Sequence, residues 1–172
     1  MSKPGYEYLI SYQYSIEIYD LTVEFVDRFL SGRDHVRTRE QMVQAARSCK
    51  QNIVEGYMEK STTSYIKLLG VARASLEELL EDYKDFSRQK GIQLRDKWEK
   101  GDKRENGEKY FLPLSPLSPP DPFIPVNYLV NLVRRTTYLL DRQIAALEHK
   151  FVTEGGYTEK LFQKRLSYRK GA

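Results

Sequence analysis

The sequence predicts an all-α protein, an antiparallel up-down four-helix bundle, and three observations carry that expectation. Apolar residues recur at steps of three and four in four separate segments. Each stripe is too narrow to be stable alone in water, so the segments must close on one another. With 172 residues, 40% hydrophobic and 30% charged, the chain can bury one sizeable core.

The clearest signal runs from Gln41 to Phe86. Met42, Ala46, Cys49, Ile53 and Gly56 share one helical face, and Tyr65, Leu68, Ala72, Leu76, Leu79, Tyr83 and Phe86 share another. These stripes predict a helical hairpin, with helices at about 39–57 and 62–90. Thr38 with Gln41 three residues later fits a capping box, and Ser61 offers the next N-cap. Gly56 admits two readings, a close approach of a neighbouring helix or a C-terminal cap.

The N-terminal segment is in conflict with itself. Tyr6, Tyr8, Ile10, Tyr12, Tyr14, Ile16 and Ile18 alternate with mostly polar residues, which by period alone argues for a strand. Further on, Tyr14, Ile18, Leu21, Phe25 and Phe29 fall on one helical face, and Tyr12, Tyr19, Val26 and Leu30 on an adjacent one. No Gly or Pro interrupts residues 11–30, so a helix at about 8–30 is expected. A helix apolar on two faces needs two partners, the bundle core and a neighbouring subunit. Gly32 ends it.

After Gly91 comes an insertion, residues 91–125, mostly charged around Trp98 and then proline-dense (LPLSPLSPPDPFIP, residues 112–125). The prolines predict an extended, polyproline-like strap. A fourth helix at about 126–152 follows, with Leu129, Leu132, Thr136, Leu139, Leu140, Ile144, Leu147 and Phe151 on its apolar side. Gly155 and Gly156 separate it from a basic extension, residues 154–172, in which Leu161, Phe162 and Leu166 predict a short amphipathic helix. From Tyr157 onward the extension carries five cations against one acid, so the remainder of the +4 chain sums to zero. Three uses compete for this tail: packing on its own bundle, docking on a neighbouring subunit, and contact with nucleic acid or an anionic membrane.

Enzyme chemistry finds no footing. Cys49 lies on a core stripe without a nucleophile signature. His35 and His149 lack the Glu-x-x-His spacing of di-iron bundles, and one Cys with two His is no structural metal set. There is no glycine-rich phosphate loop. No cofactor, metal or catalytic residue is expected. Glu77, Glu78, Glu81, Asp82 and Asp85, with Lys84 and Arg88 nearby, read as a solvated face. No apolar run approaches the roughly 20 residues needed to span a bilayer, the N-terminus lacks a signal h-region, and a single cysteine excludes a disulfide framework, so a reducing, bacterial-type cytoplasm is the simplest setting.

Asn52, Ile53, Glu55 and Gly56 match Asn-Ile-x-Glu-Gly, and Ala72, Arg73, Ser75 and Glu78 match Ala-Arg-x-Ser-x-x-Glu. In these two motifs and their separation the chain resembles the four-helix-bundle family encoded in intervening sequences of bacterial 23S ribosomal RNA genes. That family includes the accessory variability protein of diversity-generating retroelements. The material beyond the third helix is similar to the subgroup with a C-terminal suffix extension. The resemblance implies a non-catalytic, ring-shaped homopentamer with basic surfaces that binds nucleic acid, in the retroelement branch together with a reverse transcriptase. It implies a structural role for Asn52, Glu55, Gly56, Arg73, Ser75 and Glu78, with Glu55 and Glu78 pairing with Arg47 or Arg73 across the hairpin. The phosphate contacts expected on RNA or DNA are Arg47, Lys50, Lys60, Lys67, Arg73, Arg134, Arg135 and Arg142, with Lys164, Arg165 and Arg169 in the tail. Tyr57 is a candidate for base stacking. The competing expectation is a protein adaptor or structural oligomer without a nucleic-acid role.

Overall fold

Five helices carry this computed structural model, which describes residues 4–94 and 123–170. They are α1 (Ile10–Phe29), α2 (Val36–Met58), α3 (Thr62–Gln89), α4 (Phe123–Glu154) and α5 (Tyr157–Lys170). The first four pack as an antiparallel bundle in which α1 and α3 stand opposite each other, each between α2 and α4. No strand occurs among the described residues. The alternating N-terminal residues instead form a 3₁₀ turn (Gly5–Tyr8) and the start of α1. Continuous helical spacing from Ser11 to Leu30 outweighs the short run of period two.

Three helix ends differ from expectation. A 3₁₀ turn, Arg33–His35, feeds directly into α2, with His35 as N-cap and no side-chain cap. Thr38 therefore lies inside the helix, and its capping box with Gln41 is not formed. Ser61 does occupy the N-cap position of α3, but its hydroxyl meets Thr63 Oγ1 at 3.1 Å in place of a backbone amide. The first turn of α4 includes Phe123–Pro125, the last three residues of the expected strap. Proline is accepted there because a first-turn N–H has no intrahelical acceptor. The rest of the strap and Trp98 fall outside the described residues. Gly91, at φ +66°, ends α3 as expected, with Gly91 N–H donating to Arg88 O and Ile92 N–H to Ser87 O.

The core follows the stripes read in the sequence on α2 and most of α3, and departs from them on α1 and on α4, where Val126, Val130 and Val133 are buried and Leu139, Ile144, Leu147 and Phe151 only half-buried. Met42, Ala46, Cys49 and Ile53 of α2, and Ala72, Leu76, Leu79 and Tyr83 of α3, are fully buried. Val126, Leu129, Val133 and Leu140 close the core from α4. On α1 the buried seam is Ser11, Ser15, Ile18, Thr22, Phe25 and Val26, while Tyr12, Tyr14, Tyr19 and Leu21 are only half-buried. Short hydroxyl side chains fit this seam because each finds a partner. Ser15 donates to Tyr12 O at 2.7 Å, Thr22 to Ile18 O at 2.6 Å, and Ser11 to Gln143 Oε1 at 3.0 Å. With the Thr22 proton thus occupied, Tyr83 OH donates to Thr22 Oγ1 at 2.9 Å. Below it, Phe25 packs edge-on against Tyr83 and Phe86 with centroids 5.2 and 4.9 Å away.

The Tyr83–Thr22 bond makes a direct test of this core. Thr22→Val keeps the shape but leaves a buried phenol without an acceptor, and should destabilise the fold by about 1–3 kcal/mol in urea denaturation. Adding Tyr83→Phe should recover most of that loss, since the orphaned group is then gone.

Candidate nucleic-acid interface

Motif residues stitch α2 to its neighbours. Asn52 Nδ2 donates to Ser48 O at 2.8 Å and lies 3.2 Å from Ser48 Oγ, which in turn meets Ser75 Oγ at 2.9 Å. Ser75 closes the chain on Val71 O at 3.0 Å. One turn of helix further, Gly56 is buried, and a Cβ there would stand 2.8 Å from Tyr65 Cδ2 and 3.3 Å from Leu68 Cβ. Its missing side chain serves the close approach; the C-cap of α2 is Glu59, three residues on. Arg73 Nε donates to Asp141 Oδ1 at 2.5 Å and ties α3 to α4.

The same stretch decides the family. Residues 7–99, more than half of the chain, match the 23S rRNA-intervening sequence protein family. The chain belongs to that family. No curated protein matches it. The family match therefore covers the helical hairpin with α1, and α4 and α5 lie beyond it.

Two motif acids depart from their expected role in this intervening-sequence family member. Glu55 and Glu78 are exposed, and neither pairs with Arg47 or Arg73. Arg73 is taken by Asp141, with Glu77 a more distant partner at 3.9 Å. Around Glu78 the surface is acidic. Burial, then Asp85 and Glu78, push the Asp82 carboxyl above the usual range.

The candidate cations do not converge on one patch. Arg47 is exposed midway along α2, Lys60 in the α2–α3 turn, Lys67 in the second turn of α3 and Arg142 on α4, none of them in an ion pair among the described residues. Lys50 is half-buried with its ammonium 4.1 Å above the Tyr19 ring, so part of its charge is spent inside the fold. Arg134 and Arg135 are half-buried and engaged, and do not project freely. Tyr57 makes edge contacts with Tyr6 and Tyr65 at 6.1 and 6.2 Å. Tyr12 and Tyr19, the second face of α1, likewise find partners in their own chain, in Tyr6 and Lys50.

A continuous exposed stripe on α2 is not among the expected cations taken as a set: Arg37, Gln41, Gln44, Arg47 and Gln51. Its signal is present in the sequence, since these residues recur at steps of four and three; exposed Glu40 and Glu55 fall on the same face, and no acid occurs between them. Arg37 falls in the expected link before the helix, which hides its place at the head of the stripe. Among the described residues neither arginine has an acidic partner.

Helix α5 is helical as expected but neither amphipathic nor packed on its bundle. At about 100° per residue, Tyr157, Leu161 and Tyr168 fall on one side and Phe162 and Leu166 on the other, with cations between. Every residue of Tyr157–Arg169 is exposed. Lys164, Arg165 and Arg169 form no ion pair among the described residues, whereas Lys160 reaches Glu154 at 3.3 Å. The α4–α5 junction itself is well defined: Gly155, at φ +73°, donates to Phe151 O, and Gly156 N–H donates to Glu159 Oε2 at 2.6 Å. No described helix is long and apolar enough to cross a membrane.

Two substitutions probe the hairpin. Gly56→Ala gains helix propensity of about 1 kcal/mol but drives a methyl into Tyr65, whose OH accepts from Gln143 at 2.5 Å, so a net loss of about 1–2 kcal/mol is expected by thermal melting. Cys49 is fully buried, and burial raises its thiol from 9.0 to about 12. Folding thus favours the neutral thiol, and this contribution is complete below pH 9 and lost as pH rises toward 12. An aromatic disulfide reagent at about pH 8 should leave Cys49 unmodified in the folded protein and label it fully in denaturant.

Proposed function

We propose that the protein is a non-catalytic, oligomeric nucleic-acid-binding member of its family, and that the outer stripe of α2 is its phosphate-contacting face. The segregation of charge supports the reading. Helix α1 carries four acids against Arg28, and the outer side of α3 is acidic from Glu78 to Asp85, while the α2 stripe from Gln41 to Gln51 holds Arg47 and amide side chains without an acid, with Arg37 beyond Glu40 at its head. Arginine and glutamine on one exposed helix face suit phosphate and sugar oxygens, which carry no base identity. The extension beyond α4 suits the suffix-bearing branch of the family, and with it a role accessory to a ribonucleoprotein or reverse transcriptase.

A protein-contacting role has its own supporting observation, the exposed apolar side chains of α5. Leu161, Phe162, Leu166 and Tyr168 are 47, 61, 41 and 81% exposed, more apolar surface than phosphate contact requires.

Anisotropy titrations of structured RNA, duplex DNA and a hybrid across a salt series separate the two. Binding should weaken linearly in log–log salt, and Arg37→Ala with Arg47→Ala should reduce the slope by about 2, at roughly 0.9 for each phosphate no longer neutralised. Absence of binding at low salt would move the protein to the adaptor class.

A further inference from the structure

The N-terminal turn places a ring of its own in a slot between two helices. Tyr6 stands edge-on to Tyr12 of α1, with centroids 5.0 Å apart at 84°, and to Tyr57 at the end of α2, 6.1 Å away at 70°. The walls of this slot are fixed and its occupant is not. Tyr57 is backed by Tyr65 of α3 at 6.2 Å, and Tyr65 accepts from Gln143 of α4, which itself accepts from Ser11 of α1. All four helices of the bundle thus brace the walls. The turn that carries Tyr6, by contrast, buries no residue, and Pro4, Gly5 and Tyr8 are exposed. Its backbone bonds run within the turn, from Glu7 N–H to Pro4 O and from Leu9 N–H to Tyr6 O, both at 3.0 Å. Gln13 Nε2 adds an exposed bond to Glu7 O at 2.9 Å. The turn lies flat on Tyr57 because Gly5 has no side chain, since a Cβ there would collide with the Tyr57 hydroxyl. A terminal segment with so little buried opens at a small fraction of the free energy that unfolds the core.

We infer that this slot is a second nucleic-acid site, in which an unpaired pyrimidine base displaces Tyr6 and packs between Tyr12 and Tyr57. A pyrimidine is a planar six-membered ring of the size of the phenol it replaces, and it offers the same kind of face and edge to aromatic walls. Bases inside a duplex are stacked on their neighbours and cannot enter, so the site takes single strands. Glu7, Glu55 and Glu59 lie at the same end of the bundle as Lys60, so stacking and not charge recognises the ligand. The N-terminal turn is then a built-in competitor, and affinity for a single strand is lowered by what Tyr6 gains from its two neighbours. The inference rests on the nucleic-acid part of the proposed function but not on the α2 stripe, because phosphate contacts weaken with salt and ring contacts do not.

Tyr6→Ala empties the slot without touching its walls, and the anisotropy of labelled oligo(dT) and of duplex DNA reads the result. The variant should bind oligo(dT) about three- to tenfold more tightly than the native chain, the worth of one or two aromatic pairs, with duplex affinity unchanged. That ratio should keep its size across the salt series. Adding Tyr57→Leu should remove the gain, with thermal melting confirming that both variants are folded. In the native chain, hydrogen exchange at the Glu7 and Leu9 amides should be far faster than along α1, as a displaceable turn requires. The inference is overturned by no gain, by a gain equal on duplex and single strand, by a gain that survives Tyr57→Leu, or by turn amides as protected as those of α1. A vacated slot that binds a tyrosine-bearing peptide and not oligo(dT) overturns it too. Arg37→Ala with Arg47→Ala reads the α2 stripe separately. An unchanged salt slope there leaves the Tyr6→Ala ratio standing, and a silent Tyr6→Ala leaves the salt slope standing.

Discussion

The close approach of α2 and α3 is the constraint on which the bundle depends. Ala45, Ala46, Cys49 and Gly56 on one helix, and Ala72 and Ser75 on the other, are small and buried. Small facing residues bring the backbones near, and interior close packing then leaves no room for a larger side chain. The Asn52–Ser48–Ser75 chain lies in this seam and satisfies polar groups that the approach desolvates. Register between the two helices is therefore held twice, by shape at Gly56 and by hydrogen bonds at Ser48 and Ser75.

From that hairpin the other helices are placed by a few polar contacts laid over apolar packing. Gln143 joins three helices at once, donating to Tyr65 on α3 and accepting from Ser11 on α1 while sitting on α4. Thr22 and Tyr83 link α1 to α3 across the core, and Arg73 with Asp141 links α3 to α4 at the rim. The rim pair is well exposed and worth under about 1 kcal/mol. The buried bonds matter more, because an unsatisfied partner inside the core has no water to turn to.

What is left over is a surface in which charge is sorted by helix and an arm that the bundle does not use. Acids gather on α1 and the outer side of α3, while among the described residues Arg37 and Arg47 of α2 and Lys164, Arg165 and Arg169 of α5 form no ion pair. Internal ion pairs on α3 are short-range, such as Lys84 with Glu81 and Arg88 with Asp85, and so leave the wider field intact. The end of α4 and all of α5 then stand clear of the core, held by the Gly155–Gly156 junction at a defined angle and not by packing.

How much of this was legible depends on the range of the interaction concerned. Periodicity alone determined four amphipathic segments, the buried faces of α2, most of α3 and much of α4, and the stop at Gly91, because a helix is a local object and its apolar spacing is a local record. The two motifs determined the family for the same reason. Local reading failed where a neighbour decides. Ser11, Ser15 and Thr22 became the buried seam of α1 because hydroxyls there have acceptors, which no hydropathy pattern reveals. Glu55 and Glu78 are exposed and take neither Arg47 nor Arg73; Arg73 instead meets Asp141, 68 residues away. Arg47 and Lys50 lie within one helical turn of each other, yet one faces water and the other a tyrosine ring. The sequence by itself determined which segments are helical and which faces are apolar. Only the tertiary structure decided which charges remain unspent and that α5 stands alone, since both follow from contacts between residues far apart in the chain.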